Sequence, residues 1–257
     1  MNYKILTFGK SDVGNVRENN EDSFLIISDK DFTILCVCDG MGGHKAGEIA
    51  SSLAVEYLKD FVSQKGDFAI TWRGEEEPSP ENYFSDSNLI DFCKKLNTKI
   101  IDISLSNPSY KGMGTTFNAV FIIKNFAKIL NIGDSRTYLI RKNKIFRITK
   151  DHSLIQEEMD KGIIDKEEID KIIPKNIITK TIGIKENIEP DIYFLNLEKK
   201  DRLILVTDGI HDLLSDNEIF TIMKKGKIES STEKMIKKAK EKGGFDNITV
   251  VTALINR

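Results

Sequence analysis

Four aspartates stand where an apolar run meets a turn. Asp39 closes FTILCVCDG, Asp208 closes DRLILVTDG, Asp134 follows KILNIG, and Asp246 immediately precedes NITVVTALI. Apolar, β-rich runs of this length predict buried strands, and the adjoining glycines predict sharp turns with close backbone approaches. A carboxylate beside such a turn suits a hard cation, to which glycine also leaves its carbonyl open. One such aspartate is as readily explained by a turn that it caps, but four drawn from the length of the chain are not, provided that the strand ends converge. Converged carboxylates repel one another, and divalent ions neutralise them. An oxygen-only ligand set selects Mg²⁺ or Mn²⁺ over Zn²⁺. Two such ions about 3.5–4 Å apart lower the pKa of a shared water and hold an anionic substrate in line. Arg17, about one turn from Glu21 and Asp22, adds the planar fork of donors that fits a phosphoryl group. The chemistry indicated is hydrolysis of a phosphate ester.

The elements that must position these residues are legible in outline. Strands are predicted over Lys4–Phe8, Ser23–Ser28 and Phe32–Cys38, the last two as a hairpin turned at Asp29–Asp31. From His44 the apolar period changes to that of a helix, through Ala46, Ile49, Ala50, Leu53, Ala54, Tyr57, Leu58 and Phe61. Residues 64–88 read as an irregular surface insertion, with Trp72, Tyr83 and Phe84 as its anchors. Helical periodicity resumes over Leu89–Leu105. The runs TTFNAVFIIK, FAKILNIGD, RTYLIRK and KIFRIT predict an antiparallel meander. Residues 151–180 read as a flap: a helix with Leu154, Ile155 and Met159 inward, then a second helical piece around Lys166–Ile173. Strands over Ile192–Leu197, Arg202–Thr207 and Asn247–Ile255 enclose helices around Asp216–Lys224, capped by Ser215 or Asp216, and Thr232–Lys242. No regular βαβ alternation occurs. The expected fold is therefore α+β: a four-layer α-β-β-α sandwich, with helix pairs on two antiparallel sheets. Residues 1–257 form one domain, since no linker divides them.

Composition excludes several classes. Lys+Arg 38 against Asp+Glu 40 leaves a net charge of −2, with no broad cationic field for nucleic acid or an anionic membrane. No apolar run reaches membrane-spanning length, so stable membrane insertion is not expected. The first residues, MNYKILTFGKSD, lack the pattern of an export signal, and the expected location is the cytoplasm. Cys36 and Cys38 share a strand face without the neighbours of a zinc site, and read as core. A monomer is the expected state.

RENNED, CDGMGGHKAGEIAS, GMGTT, IGDSRTYL, TKDHSL, VTDGIHDLLSD and GGFDNITVV follow in the order found in bacterial metal-dependent serine/threonine protein phosphatases of the type 2C family. The chain resembles that family over about residues 5–255, and the ordered series carries the likeness where a lone DG would not. The resemblance implies a β-sandwich flanked by helices, and hydrolysis of phosphoserine and phosphothreonine by a hydroxide bridging two Mn²⁺ or Mg²⁺ ions, without a phosphoenzyme. It implies that Asp39 bridges both ions, with Asp208 and Asp246 on one side. The Gly40 carbonyl and Glu21 serve the other, partly through water. Asp22 holds metal-bound water, Arg17 clamps phosphate, Asn247 orients the Asp246 loop, and Asp134 with Asp208 holds a weaker third ion. The implied partners are phosphorylated proteins, and a bacterial serine/threonine kinase with its substrates.

The chain departs from the family pattern at three places. Met41 follows the DG, as in bacterial members, where eukaryotic ones carry a histidine thought to act as general acid. His44 is near in sequence, but its turn gives no reason to aim it at the leaving oxygen; His152 reads as a brace and His211 as exposed. Lys180 replaces an arginine common near the end of the flap, keeping charge but losing the bidentate fork. Residues 64–88 match no family function. Two alternatives stand beside a broad phosphatase: an enzyme restricted to one phosphorylated partner, and a catalytically silent binding protein. Intact Glu21, Asp39, Asp208 and Asp246 argue against the second, because a silent copy has no need of a costly cluster of like charges.

Overall fold

A computed structural model describes residues 4–42, 45–63, 79–162 and 177–256. Its strands are β1 (Lys4–Asp12), β2 (Asp22–Ser28), β3 (Phe32–Met41), β4 (Gly114–Thr115), β5 (Phe117–Ile123), β6 (Phe126–Ile132), β7 (Arg136–Arg141), β8 (Lys144–Arg147), β9 (Asp191–Asn196), β10 (Arg202–Val206) and β11 (Ile248–Asn256). One sheet has the order β1-β11-β10-β7-β8. The other runs β2-β3-β5-β6-β9, with β4 on the end of β3. Every pairing between these strands is antiparallel.

Strand period sorts the side chains into layers. Along β3, Ile34, Cys36 and Cys38 face helices α1 (Ala46–Ser63) and α3 (Asp86–Ser106), whereas Leu35 and Val37 face the opposite sheet. Val120, Ile122 and Ile129 meet Leu203, Leu205, Val251 and Ala253 in that central layer. On the far side, Ile204, Val206 and Val250 pack against α5 (Asp208–His211), α6 (Asp216–Met223) and α7 (Ile228–Glu241). These are the four expected layers. Fully burying each large apolar side chain contributes about 1.5–3 kcal/mol. Among the described residues no helix is long and apolar enough to cross a membrane.

Three expectations are corrected. The run from Phe117 to Arg147 is not one meander but two hairpins in different sheets, β5–β6 and β7–β8. Gly133, at φ +107, turns the chain from one sheet to the other, a conformation that glycine adopts without strain. Met159 is 37 % exposed rather than inward, because α4 (Leu154–Asp160) is too short to present more than its Leu154–Ile155 turn to the body. Helix α3 begins at Asp86, with Ser85 as its cap, and a helical turn α2 (Pro80–Tyr83) capped by Ser79 precedes it. Phe84 is fully buried and Tyr83 stacks on Phe61 at 4.8 Å. Trp72, and the helical piece expected around Lys166–Ile173, lie outside the described residues.

Candidate active site at the polar end of the sandwich

At one end the central layer changes from apolar to polar. Asp39 comes two residues after Val37 and Thr207 two after Leu205. Asn118, Thr137 and Thr249 come two before Val120, Leu139 and Val251. A period of two therefore directs all five between the sheets. The β2–β3 register sets Asp22 directly across from Asp39. Hydroxyls then bridge the layers. Thr207 Oγ1 donates to Asp22 Oδ2 at 2.8 Å, and Thr137 Oγ1 to Asn118 Oδ1 at 2.5 Å. Asn118 in turn donates to Asn131 Oδ1 at 2.7 Å.

Asp39 is fixed through its backbone. Its N–H donates to Thr116 Oγ1 at 2.8 Å, and its carbonyl accepts from Thr116 N–H at 2.8 Å and Thr115 Oγ1 at 2.9 Å. Gly40 and Gly47 are in backbone contact: a Cβ on Gly40 would stand 2.1 Å from the Gly47 carbonyl, and one on Gly47 would stand 2.9 Å from Glu21 Cδ. The first turn of α1 is thereby seated on the Asp39–Gly40 turn and on Glu21. Asp208 opens α5 directly after β10.

The carboxyl groups converge closely enough to perturb one another. Burial pushes the Asp39 carboxyl well above the carboxylate range, and Asp208, Asp22 and Asp134 add to the shift. Burial also raises Asp208, and raises Asp22 to about 7, with Asp208 and Asp246 contributing. Asp134 rises to about 7 from burial and then from Asp208, opposed by His211. Glu21 is raised by burial, against the pull of Arg17.

Two histidines hold the turn that carries Asp134. Gly133 N–H donates to His152 Nδ1 at 3.1 Å, so the other ring nitrogen carries the proton, 3.1 Å from Asp191 Oδ2. Burial, and next the charge of Lys180, lower the His152 pKa. His211 corrects the expectation of exposure. Its side chain is 3 % exposed, because α5 folds it inward against Asp134, whose carbonyl lies 3.1 Å from Nε2. Lys180 Nζ donates to the Glu189 carbonyl at 3.0 Å and to Asp191 Oδ1 at 3.1 Å, single contacts of a point charge. His44 lies outside the described residues.

On the rim, Arg17 Nη2 donates to Asp246 Oδ2 at 2.8 Å, while Asp246 Oδ1 accepts from Asn247 N–H at 2.8 Å. Asn247 Oδ1 accepts from Glu21 N–H at 2.7 Å, and its amide donates to the Asn19 and Val13 carbonyls. One side chain thus joins the start of β11 to the loop bearing Arg17 and Glu21. Sequence reasoning missed Thr207, Thr249, Asn118, Asn131 and Gly47. The alternation that selects the first four is present in the sequence, where it stands out only for apolar side chains.

Among the described residues no three acidic, histidine or cysteine side chains already stand as a closed metal-binding set. The groups nonetheless fit a divalent ion. All donors are oxygens, the ionisation of Asp22, Asp39, Asp134 and Asp208 is opposed by burial and by neighbouring carboxylates, and Asp134 Oδ1 and Asp208 Oδ1 are buried without a hydrogen-bond partner. A cation is the group that such oxygens lack.

Comparison with known proteins accords with this geometry. The family described as protein phosphatase 2C matches residues 14–249. The chain is 34% identical to the serine/threonine phosphatase stp of Listeria welshimeri, covering 94% of this chain and 92% of that protein. The structure of the serine/threonine phosphatase Stp1 from Staphylococcus aureus superposes with a TM-score of 0.84 at 32% identity, covering 100% of this chain and 97% of that one. The catalytic domain of the serine/threonine protein phosphatase PstP, solved in complex with two manganese ions, gives a TM-score of 0.80 at 30% identity, covering 98% and 99% of the two chains. With its fold, its carboxylate cluster and nearly all of its length accounted for, the chain belongs to the protein phosphatase 2C family.

Proposed function

We propose that the chain is a serine/threonine protein phosphatase that hydrolyses phosphoserine and phosphothreonine by direct attack of water on phosphorus, and that it depends on Mn²⁺ or Mg²⁺. The observation that carries the reading is the convergence of Asp39, Asp208, Asp134 and Asp22 at the polar end of the sandwich, with two buried carboxylate oxygens unpartnered. Asp39, Asp208, Asp246, Glu21 and the Gly40 carbonyl would hold two ions, Asp22 would act through water, and Asp134 with Asp208 would hold a third more weakly. When bound, such ions concentrate positive charge on the phosphoryl oxygens and acidify water.

The chain's own residues supply orientation. Arg17 is half-exposed and already paired with Asp246, so its fork stands at the mouth with donors to spare for a phosphoryl oxygen. Thr207 fixes the Asp22 carboxyl, and Asn247 fixes the backbone of Glu21. Hydrolysis breaks the bond from phosphorus to the seryl or threonyl oxygen and forms one to water oxygen, and the leaving oxygen takes up a proton. Cys36, Cys38 and Cys93 are all buried, so none offers a thiolate nucleophile at the mouth, in keeping with a path without a phosphoenzyme. The substrates are phosphoproteins of a serine/threonine kinase acting in the same compartment, the cytoplasm, and the enzyme acts as a single domain and as a monomer.

The test is phosphate release from phosphoserine and phosphothreonine peptides, with Mn²⁺ and after exhaustive chelation. Release is expected with Mn²⁺ and not after chelation. Full activity in verified metal-free protein would overturn the metal-dependent reading.

A further inference from the structure

Beside the Arg17–Asp246 pair lie two exposed apolar side chains. Val16 is 62 % exposed and Phe245 is 63 % exposed, and each is the chain neighbour of one member of the pair, about 3.8 Å away from Cα to Cα. The loops that carry them are bound together. Asn15 N–H donates to the Gly244 carbonyl at 2.8 Å, and the Asn15 side-chain amide donates to the Lys240 and Gly243 carbonyls at 2.8 and 3.0 Å. Gly14, at φ +85, has the Asp246 carbonyl 2.2 Å from where a Cβ would stand. The Phe245 ring lies against the backbone of Gly243, where a Cβ would meet it at 2.4 Å. The aromatic ring is therefore held in place by its own loop while most of its surface faces water. What sets these two apart from other exposed apolar side chains is their place next to the Arg17–Asp246 pair, and aromatic side chains are the commonest anchors of protein contacts.

From this we infer that Val16 and Phe245 form an apolar lip that receives the side chain flanking the phosphorylated residue, so that the protein prefers phosphoproteins with a large apolar residue at that place. The inference rests on the phosphatase reading and on Arg17 as the phosphate-side donor. An extended substrate rises about 3.3 Å per residue, so a residue one or two positions from the phosphorylated one reaches a lip that is itself one residue from Arg17 and from Asp246. The occupant is apolar because the lip offers it carbon surface.

The experiment uses the full chain with Mn²⁺ and three probes: a phosphothreonine peptide flanked on both sides by leucine, the same peptide flanked by glycine, and p-nitrophenyl phosphate. Wild type should favour the leucine peptide by about 5-fold in kcat/KM, below the roughly 10-fold or more that an enclosed pocket gives per methylene. Phe245→Ala and Val16→Ser should each reduce that ratio toward one, chiefly through KM, and Phe245→Leu should restore part of it. The aryl phosphate has no flanking residue and serves as the reference for each variant. Equal ratios in wild type and variants, with phosphate released from all three probes, would overturn the lip. Release from none of the probes would overturn the phosphatase reading, and the lip with it.

Discussion

Asp39 faces other carboxylates while Arg17 stands on the rim with half of its side chain exposed, and substitution should separate their duties. Asp39 is a carboxyl group whose ionisation is opposed by burial and by three neighbouring aspartates. Asp39→Asn removes that conflict while keeping shape. Calorimetry in chelator should show a melting temperature equal to or above that of wild type. The rise that Mn²⁺ gives to wild type should vanish, and turnover should fall by about 10²-fold or more. A variant that still gains stability from Mn²⁺ and turns over normally would remove Asp39 from the site. Arg17→Ala should show the reverse: Mn²⁺ titration by calorimetry close to wild type, and kcat/KM on phosphopeptides down by about 10–100-fold, or about 1.4–2.7 kcal/mol. Loss of metal binding in that variant would make Arg17 a support for Asp246 instead of a substrate ligand.

At the scale of elements, the contact of α1 with the end of β3 is the least forgiving. Gly47→Ala places a methyl group against the Gly40 backbone and the Glu21 carboxyl. Overpacking of that kind costs about 1–3 kcal/mol, and the displacement falls on the Asp39–Gly40 turn. Melting temperature and Mn²⁺ affinity should therefore fall together. A fully active, equally stable variant would mean that α1 can shift without moving the site. How far such contacts are legible in the sequence depends on their range. Asp39, Asp134, Asp208 and Asp246 are visible because a local pattern, a glycine turn at one end of a strand, places each of them. The hairpin β2–β3 and helix α1 were visible for the same reason. The Gly40–Gly47 contact, the inward turn of His211 and the split of Phe117–Arg147 between two sheets were not, since each depends on where a distant element comes to rest. Nothing within IGDSR states that the chain changes sheets there; the crossing follows from the pairing of β7 with β10 and of β6 with β9.

For the molecule as a whole, the carboxylate cluster sets how stability depends on pH. Asp22 and Asp134 have folded pKa values of about 7, above the ordinary 3.8. Groups raised in the folded state favour folding fully below their unfolded pKa, and that contribution is lost as pH rises through the folded value. The metal-free protein should therefore melt at progressively lower temperature from about pH 5 to about pH 8. His152, whose pKa is lowered from 6.5, works in the opposite sense, and its effect is complete once the pH has passed its unfolded value. Mn²⁺ should restore more stability at the alkaline end, where it no longer competes with protons. Scanning calorimetry across this range, with chelator and with Mn²⁺, checks both slopes, and a metal-free protein that gains stability toward pH 8 would refute the account. The place of β11 bears on how the enzyme is made. It lies between β1 and β10, pairing with both, yet it follows every other described strand in the chain. At a synthesis rate of about 5–20 residues per second, β1 leaves the ribosome many seconds before its sheet partner β11 exists, and Asp246 reaches Arg17 late. A nascent chain therefore holds an incomplete sheet and no assembled site, so dephosphorylation begins only once the final strand has inserted.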